Sequence, residues 1–260
     1  MKRHVIGALA SAALAAIATP GGAAAEPCAR EAFEGGRHVV CTLGAHDLAR
    51  LGLYWRDADG KPFRGFSRLD RAVREKGGSL VFAVNAGMYL SDYTPMGLYV
   101  AEGSEERPVN TEAAAPGIRP VPNFFKEPNG VFFVGAAGAG VATTRDFVAR
   151  RPQVRLATQS GPMLVMKGRL NPIFIVGSKD RTRRSGVGVC EGGAVKIAVS
   201  EGDVNFHDFA RLFRDRLGCP DALFLDGGNG VGLFSPALRV NDWSWHGGFG
   251  PMLGFVGEAR

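Results

Sequence analysis

Ala222-Leu223-Phe224-Leu225-Asp226-Gly227-Gly228 runs four apolar residues into a carboxylate and a pair of glycines. An apolar run this short, bounded by turn residues, reads as a buried strand, and the glycines let it end in a flexible turn. Asp226 is thereby set at the end of a rigid element, a placement that holds a reacting side chain still. The bland alternative is a hairpin aspartate that only accepts hydrogen bonds from its own turn.

The same pattern repeats outward along the chain. Short apolar or alternating runs at 39–43, 51–55, 80–84, 97–100, 131–134, 163–166 and 195–199 predict strands. Asp59-Gly60, Gly77-Gly78 and Glu191-Gly192-Gly193 supply turn chemistry between them. Only two segments read as helices. Ser67 is placed to cap 68–76, which Gly77-Gly78 ends, and Asn205 to cap 206–217 before Gly218. In the second, Phe206, Phe209, Ala210, Phe213 and Leu217 fall on one face, which predicts packing against a sheet. Many strands, few helices and no regular strand–helix alternation give the class as α+β, a single domain with a mixed, strand-rich sheet core.

Lys2-Arg3, an apolar run over 5–18 and the small residues Ala23-Ala24-Ala25 predict a signal peptide over 1–25 and a mature domain over 26–260. The run is short for a membrane span and ends in Pro20-Gly21-Gly22, so no stable membrane anchor is expected after cleavage. Loss of Lys2 and Arg3 lowers the formal charge from +6 to +4, too little for a nucleic-acid reader. An exported chain, periplasmic or secreted, meets an oxidising compartment, where the even set Cys28, Cys41, Cys190 and Cys219 predicts two disulfides. Three pairings are open; closeness in sequence favours Cys28 with Cys41 and Cys190 with Cys219. No spacing suggests zinc, and no cofactor is expected, a divalent ion staying open.

Four further stretches set polar residues beside glycine where an apolar run stops. They are Asn85-Ala86-Gly87-Met88-Tyr89, Lys126-Glu127-Pro128-Asn129-Gly130, Gln159-Ser160-Gly161-Pro162 and Arg183-Arg184-Ser185-Gly186. Glycine there permits close approach of backbone amides to a ligand, although an Asn or Gln after a buried strand is more often a turn former than a ligand contact. Arg184, ending the basic cluster Lys179, Arg181 and Arg183, has the fork geometry to clamp a phosphate. Ser160 has no histidine nearby in sequence and is not read as a nucleophile. No Gly-x-Ser-x-Gly elbow, Walker loop or dinucleotide fingerprint is present. His38, His46, His207 and His246 are scattered and read as surface or hydrogen-bonded residues.

Taken in order, these stretches resemble the phosphodiester glycosidase family, especially its small exported bacterial members. The resemblance also runs through Pro95-Met96-Gly97-Leu98-Tyr99, Asn110-Thr111, Gly186-Val187-Gly188-Val189, Val204-Asn205-Phe206 and Phe249-Gly250-Pro251-Met252. It implies hydrolysis of a sugar-1-phosphodiester, releasing a sugar such as N-acetylglucosamine and leaving a phosphomonoester. An insertion over 112–123, rich in proline and alanine, is positioned to reshape the mouth of such a site.

A phosphate ester leaves readily, so a strong general acid is needed less than in ordinary glycosidases, and a nearby cation suffices. Arg184 and Lys126 are therefore expected at the phosphate. Asp226, with Glu201 second, is expected to face the developing positive charge or to activate water; if both serve, their separation predicts retention or inversion. Asn85, Asn129, Gln159, Ser160 and Asn229 are expected to orient sugar groups, with amides from Gly87 and Gly228. Two rivals accompany this reading. One is a phosphodiesterase whose Asp226, Asp203 and Glu201 hold a divalent ion. The other is a non-catalytic binder of envelope glycans using Trp243, Trp245 and Tyr89 as stacking surfaces.

Overall fold

The computed structural model describes residues 26–257, so the predicted signal segment lies outside the described residues. The first sheet runs Cys28–Phe33, Gly36–Leu43, Val195–Ser200, Arg184–Val189, Asp221–Gly227, Met163–Met166, Arg169–Leu170. The second runs Val240–Asn241, Leu233–Ser235, Ser79–Asn85, Met252–Gly257, Leu51–Tyr54. The third runs Ser104–Arg107, Tyr99–Ala101, Val154–Ser160, Gly130–Gly135, Gly138–Thr143.

The α+β class and the single, strand-rich domain stand. The pairing directions refine the expected mixed sheet, because each named ladder is antiparallel. Antiparallel neighbours need only tight turns, whereas a parallel pair needs a long crossover. Gly35 and Gly168, both at positive φ, make two of those turns.

One apolar core draws on all three sheets: Val187, Ile197 and Leu223 from the first, Phe82, Val84 and Leu253 from the second, Phe132 and Leu156 from the third. Burying these side chains from three directions is what closes the sheets on one another. On its outer face the first sheet packs against the helical segment that Asn205 starts. Asn205 caps as expected, its side chain accepting from the Asp208 amide at 2.8 Å. The segment is α-helical over Phe206–Arg211 and widens into a π-type turn over Leu212–Arg216. Its aromatic stripe is buried against Ala198, Ala222 and Phe224.

The other predicted helix spans Phe66–Glu75 with Gly65 at its cap, so Ser67 lies inside the first turn instead of capping it. A third helix, Thr144–Arg150, capped by Thr143, is too short to announce itself by periodicity. Both disulfides follow the favoured pairing. Cys28–Cys41 joins directly opposed residues of neighbouring strands, and Cys190–Cys219 ties the end of Arg184–Val189 to the approach of Asp221–Gly227.

Candidate active site

Asp221–Gly227 lies inside the first sheet, flanked by Arg184–Val189 and Met163–Met166. Its ladder to Arg184–Val189 slips: Ser185 opposes Asp226 while Gly186 opposes Phe224, leaving Leu225 as an extra residue. A bulge of this kind sends two consecutive side chains to one face. Leu225 enters the core between the sheets, and Asp226 turns the same way.

Side chains from the other two sheets hold this strand end. Asn85 Nδ2 donates to Ser185 Oγ at 2.8 Å, and Ser185 Oγ lies 3.2 Å from both the amide nitrogen and the carbonyl oxygen of Asp226. Ser160 Oγ donates to the Leu225 carbonyl at 2.6 Å. These polar groups are buried and paired, so the acid is aimed by a connected set of hydrogen bonds.

Asp226 opens on a cavity of about 330 Å³ lined by Met88, Tyr89, Met96, Asn229, Gly230 and His246 among others. Its Oδ1 accepts from the Gly227 amide at 2.7 Å. One edge of the carboxyl meets the cavity while protein encloses the rest. That desolvation outweighs the Gly227 bond and pushes the Asp226 carboxyl up to about 7. The Tyr89 phenol is held well above its ordinary range, by burial first and by the Asp226 charge second. Tyr89 Oη donates to the Gly248 carbonyl at 3.0 Å and stands 3.1 Å from His246 Nε2. On the other side of the imidazole, Nδ1 meets Ser244 Oγ, which also donates to the Asn229 carbonyl at 3.2 Å.

Glycine 230 makes room for the acid, since a Cβ there would overlap Asp226 Oδ2. The obstructed atom is the tip of a side chain and not backbone, so Gly230→Ala should fold while displacing the carboxyl. The expected result is a fall of about 10²-fold in kcat/KM, with stability within about 1 kcal/mol, read by steady-state kinetics and chemical denaturation.

The remaining expected site residues disperse. Arg184 opposes Gly227 and projects to the outer face of the sheet, where its guanidinium lies 3.6 Å over the Phe206 ring. Only 1% exposed, it donates from Nε to the Val204 carbonyl at 2.8 Å and from Nη2 to the Asp180 carbonyl at 3.2 Å. Lys126 Nζ donates to Asn123 Oδ1 at 2.7 Å, also near Phe206. Glu201 pairs with Arg30 at 2.8 Å and Arg37 at 3.4 Å and lines a different cavity, of about 360 Å³, with Asp203 and His38. Asp226 therefore does not meet Glu201 as a carboxylate pair, nor Glu201 and Asp203 as a three-acid set.

Gln159 is buried, accepting from the amides of Leu98 and Asn110 and donating to the Asn110 carbonyl, so its polar atoms are spent on the fold. The Gly87 amide donates to Thr158 Oγ1 at 3.1 Å. Asn129 lines a separate cavity, of about 760 Å³, beside Asn110 and Arg145. Gly228 adopts positive φ in the turn, its amide donating to the Arg183 carbonyl, and Asn229 reaches the Asp226 cavity. What the sequence reading misses is His246. The glycine pair after it is the signal that would have found it, the same flank that marks Asp226.

Residues 78–248 match the phosphodiester glycosidase family. The chain belongs to that family. The uncharacterized protein YigE of Escherichia coli strain K12 is 32% identical over 178 residues, which is 68% of this chain and 67% of that protein. Among solved structures, the fold is similar to the catalytic domain of zebrafish N-acetylglucosamine-1-phosphodiester alpha-N-acetylglucosaminidase, auto-inhibited by its pro-peptide. That match has a TM-score of 0.60 at 12% identity and covers 90% of this chain and 82% of the other. A hypothetical protein from Synechocystis matches with a TM-score of 0.52 at 15% identity, covering 90% of this chain and 61% of that one. At such identities the two structures speak to the phosphodiester glycosidase fold alone.

Proposed function

We propose that the protein is an exported glycosidase-type hydrolase that splits a sugar-1-phosphodiester at the sugar carbon, freeing an N-acetylglucosamine-like sugar and leaving a phosphomonoester. Family membership supports the reaction class, and the activity for which the zebrafish enzyme is named supports the substrate class. The two disulfides support an oxidising compartment. The observation that carries the reading is Asp226: a carboxyl raised to about 7, at a strand end, facing a cavity.

Asp226 acts as the carboxylate that activates water or meets the positive charge developing on the sugar ring. His246 takes the place expected for Arg184, because it is the one nitrogen base lining the cavity and is oriented from both ring nitrogens. Its Nε2 gives up the Tyr89 contact to donate to the departing phosphate, while Ser244 keeps hold of Nδ1. Asn229 and Tyr89 contact the sugar or its phosphate from the cavity wall.

The pH profile and the site of isotope incorporation test this. Since the carboxylate is the working form, kcat/KM should be full above the raised value and fall as pH drops through about 7. In isotopically labelled water the label should enter the sugar product. Label in the phosphate would place the cleavage at phosphorus, and a profile flat from about pH 5 to 8 would remove Asp226 from the reaction.

A further inference from the structure

The loop 171–178 carries apolar side chains that the fold does not use. Ile175 is 72% exposed and Val176 74%, with Ile173 beside them at 45%. Phe174, between them, is spent inward, stacked on Phe206 at 5.1 Å. The loop is thus anchored at Asn171, Phe174 and Ser178 and presents the residues between them to solvent. Pro172 and Gly177 are exposed as well, so the feature is a protruding tip and not a groove.

The charge along this segment of the chain is one-sided. From Lys167 to Arg184 stand six cationic residues and a single acid, Asp180. Lys167, Arg169, Lys179 and Arg181 are exposed; of these, Arg181 alone makes an ion pair among the described residues, with Asp208 at 3.5 Å. The segment returns to the Asp226 end of the molecule, where Arg183 bonds Asp242 at 2.9 Å and its carbonyl receives the Gly228 amide. Asp242 leads directly into Trp243 and Trp245, 62% and 77% exposed, so a second apolar feature is rooted at the same end.

We propose that loop 171–178 docks the protein on an anionic lipid surface, with Ile173, Ile175 and Val176 entering the headgroup layer and Lys167, Arg169, Lys179 and Arg181 meeting lipid phosphates. A convex apolar tip suits a yielding medium, whereas a protein partner would need a matching cleft. Exposed cations on both sides of an exposed aliphatic run are the pattern that anionic bilayers attract. This docking is peripheral and reversible, and it stands apart from the proposed reaction.

Sedimentation of the purified protein with vesicles of phosphatidylglycerol and phosphatidylcholine, against vesicles of phosphatidylcholine alone, tests it. Binding is expected to the anionic vesicles, weakening as salt is raised. The double variant Ile175→Asp/Val176→Asp, at exposed positions, should keep its unfolding midpoint and bind at least tenfold more weakly. Lys179→Glu should also weaken binding and leave the fold intact. Absence of binding to anionic vesicles, equal binding to both vesicle types, or undiminished binding by the double variant would overturn the proposal. So would a self-association, seen by sedimentation velocity, that the double variant abolishes, because a second copy would then be what covers the tip.

Discussion

Asp226→Asn should abolish turnover and at the same time make the protein harder to unfold. Removal of a working base or nucleophile costs about 10²–10⁴-fold in rate, and the amide preserves size and the bond from the Gly227 amide. The gain in stability follows from linkage. A carboxyl raised from 3.8 to about 7 in the folded state keeps its proton while the unfolded chain has lost it. Between those values the folded state binds more protons, so stability falls as pH rises, and the loss is complete above about 7. Asparagine carries no such penalty. The variant should therefore show a higher denaturation midpoint than the parent at pH 8 and little difference at pH 4. Full activity in Asp226→Asn, or a midpoint below the parent's at pH 8, would leave the acid as an ordinary turn residue.

Arg184→Ala should destabilise the fold rather than merely loosen its grip on substrate. Burial holds the guanidinium down to about 10 without discharging it at neutral pH. Its bonds to the Val204 and Asp180 carbonyls and its stacking on Phe206 fasten the loop before Arg184–Val189 to the start of the Asn205-capped helix. Truncation removes a charge-assisted bond from the Val204 carbonyl, which keeps only the Thr182 amide at 3.3 Å, and leaves a void against aromatic rings, together about 2–4 kcal/mol. Chemical denaturation reads this as a shifted midpoint at constant slope. Lysine should rescue little, lacking the planar fork. A phosphate clamp facing solvent would behave oppositely, with unchanged stability and a raised KM.

These two residues show what the sequence makes legible. Asp226 stands where the apolar run and its glycines put it, and the capping Asn205 and the paired cysteines follow from local chemistry that needs no tertiary knowledge. Arg184, Gln159, Asn85 and Ser160 have the same local signature as ligand contacts, a polar side chain beside glycine at a strand end. Their partners turn out to be carbonyls, amides and a hydroxyl from distant parts of the chain. Spacing cannot separate a group that waits for a ligand from one already satisfied by the fold, because both need close backbone approach. Arg184–Val189 is hard to read as a strand for a related reason. Its Gly186 and Gly188 lower strand propensity, yet a Cβ at 188 would stand 2.9 Å from Cys219 and from Phe213, so glycine is demanded by the helix packed above.

Leu225, the unmatched residue in the ladder beside Arg184–Val189, works as a phase shifter. Strand side chains alternate in direction, so a ladder that ran on without this slip, Leu225 still in the core, would point Asp226 at Phe206 and the outer helix, with every letter of the motif intact. Redesign of this strand can thus tolerate changes of identity along 222–225 more readily than loss of the irregularity.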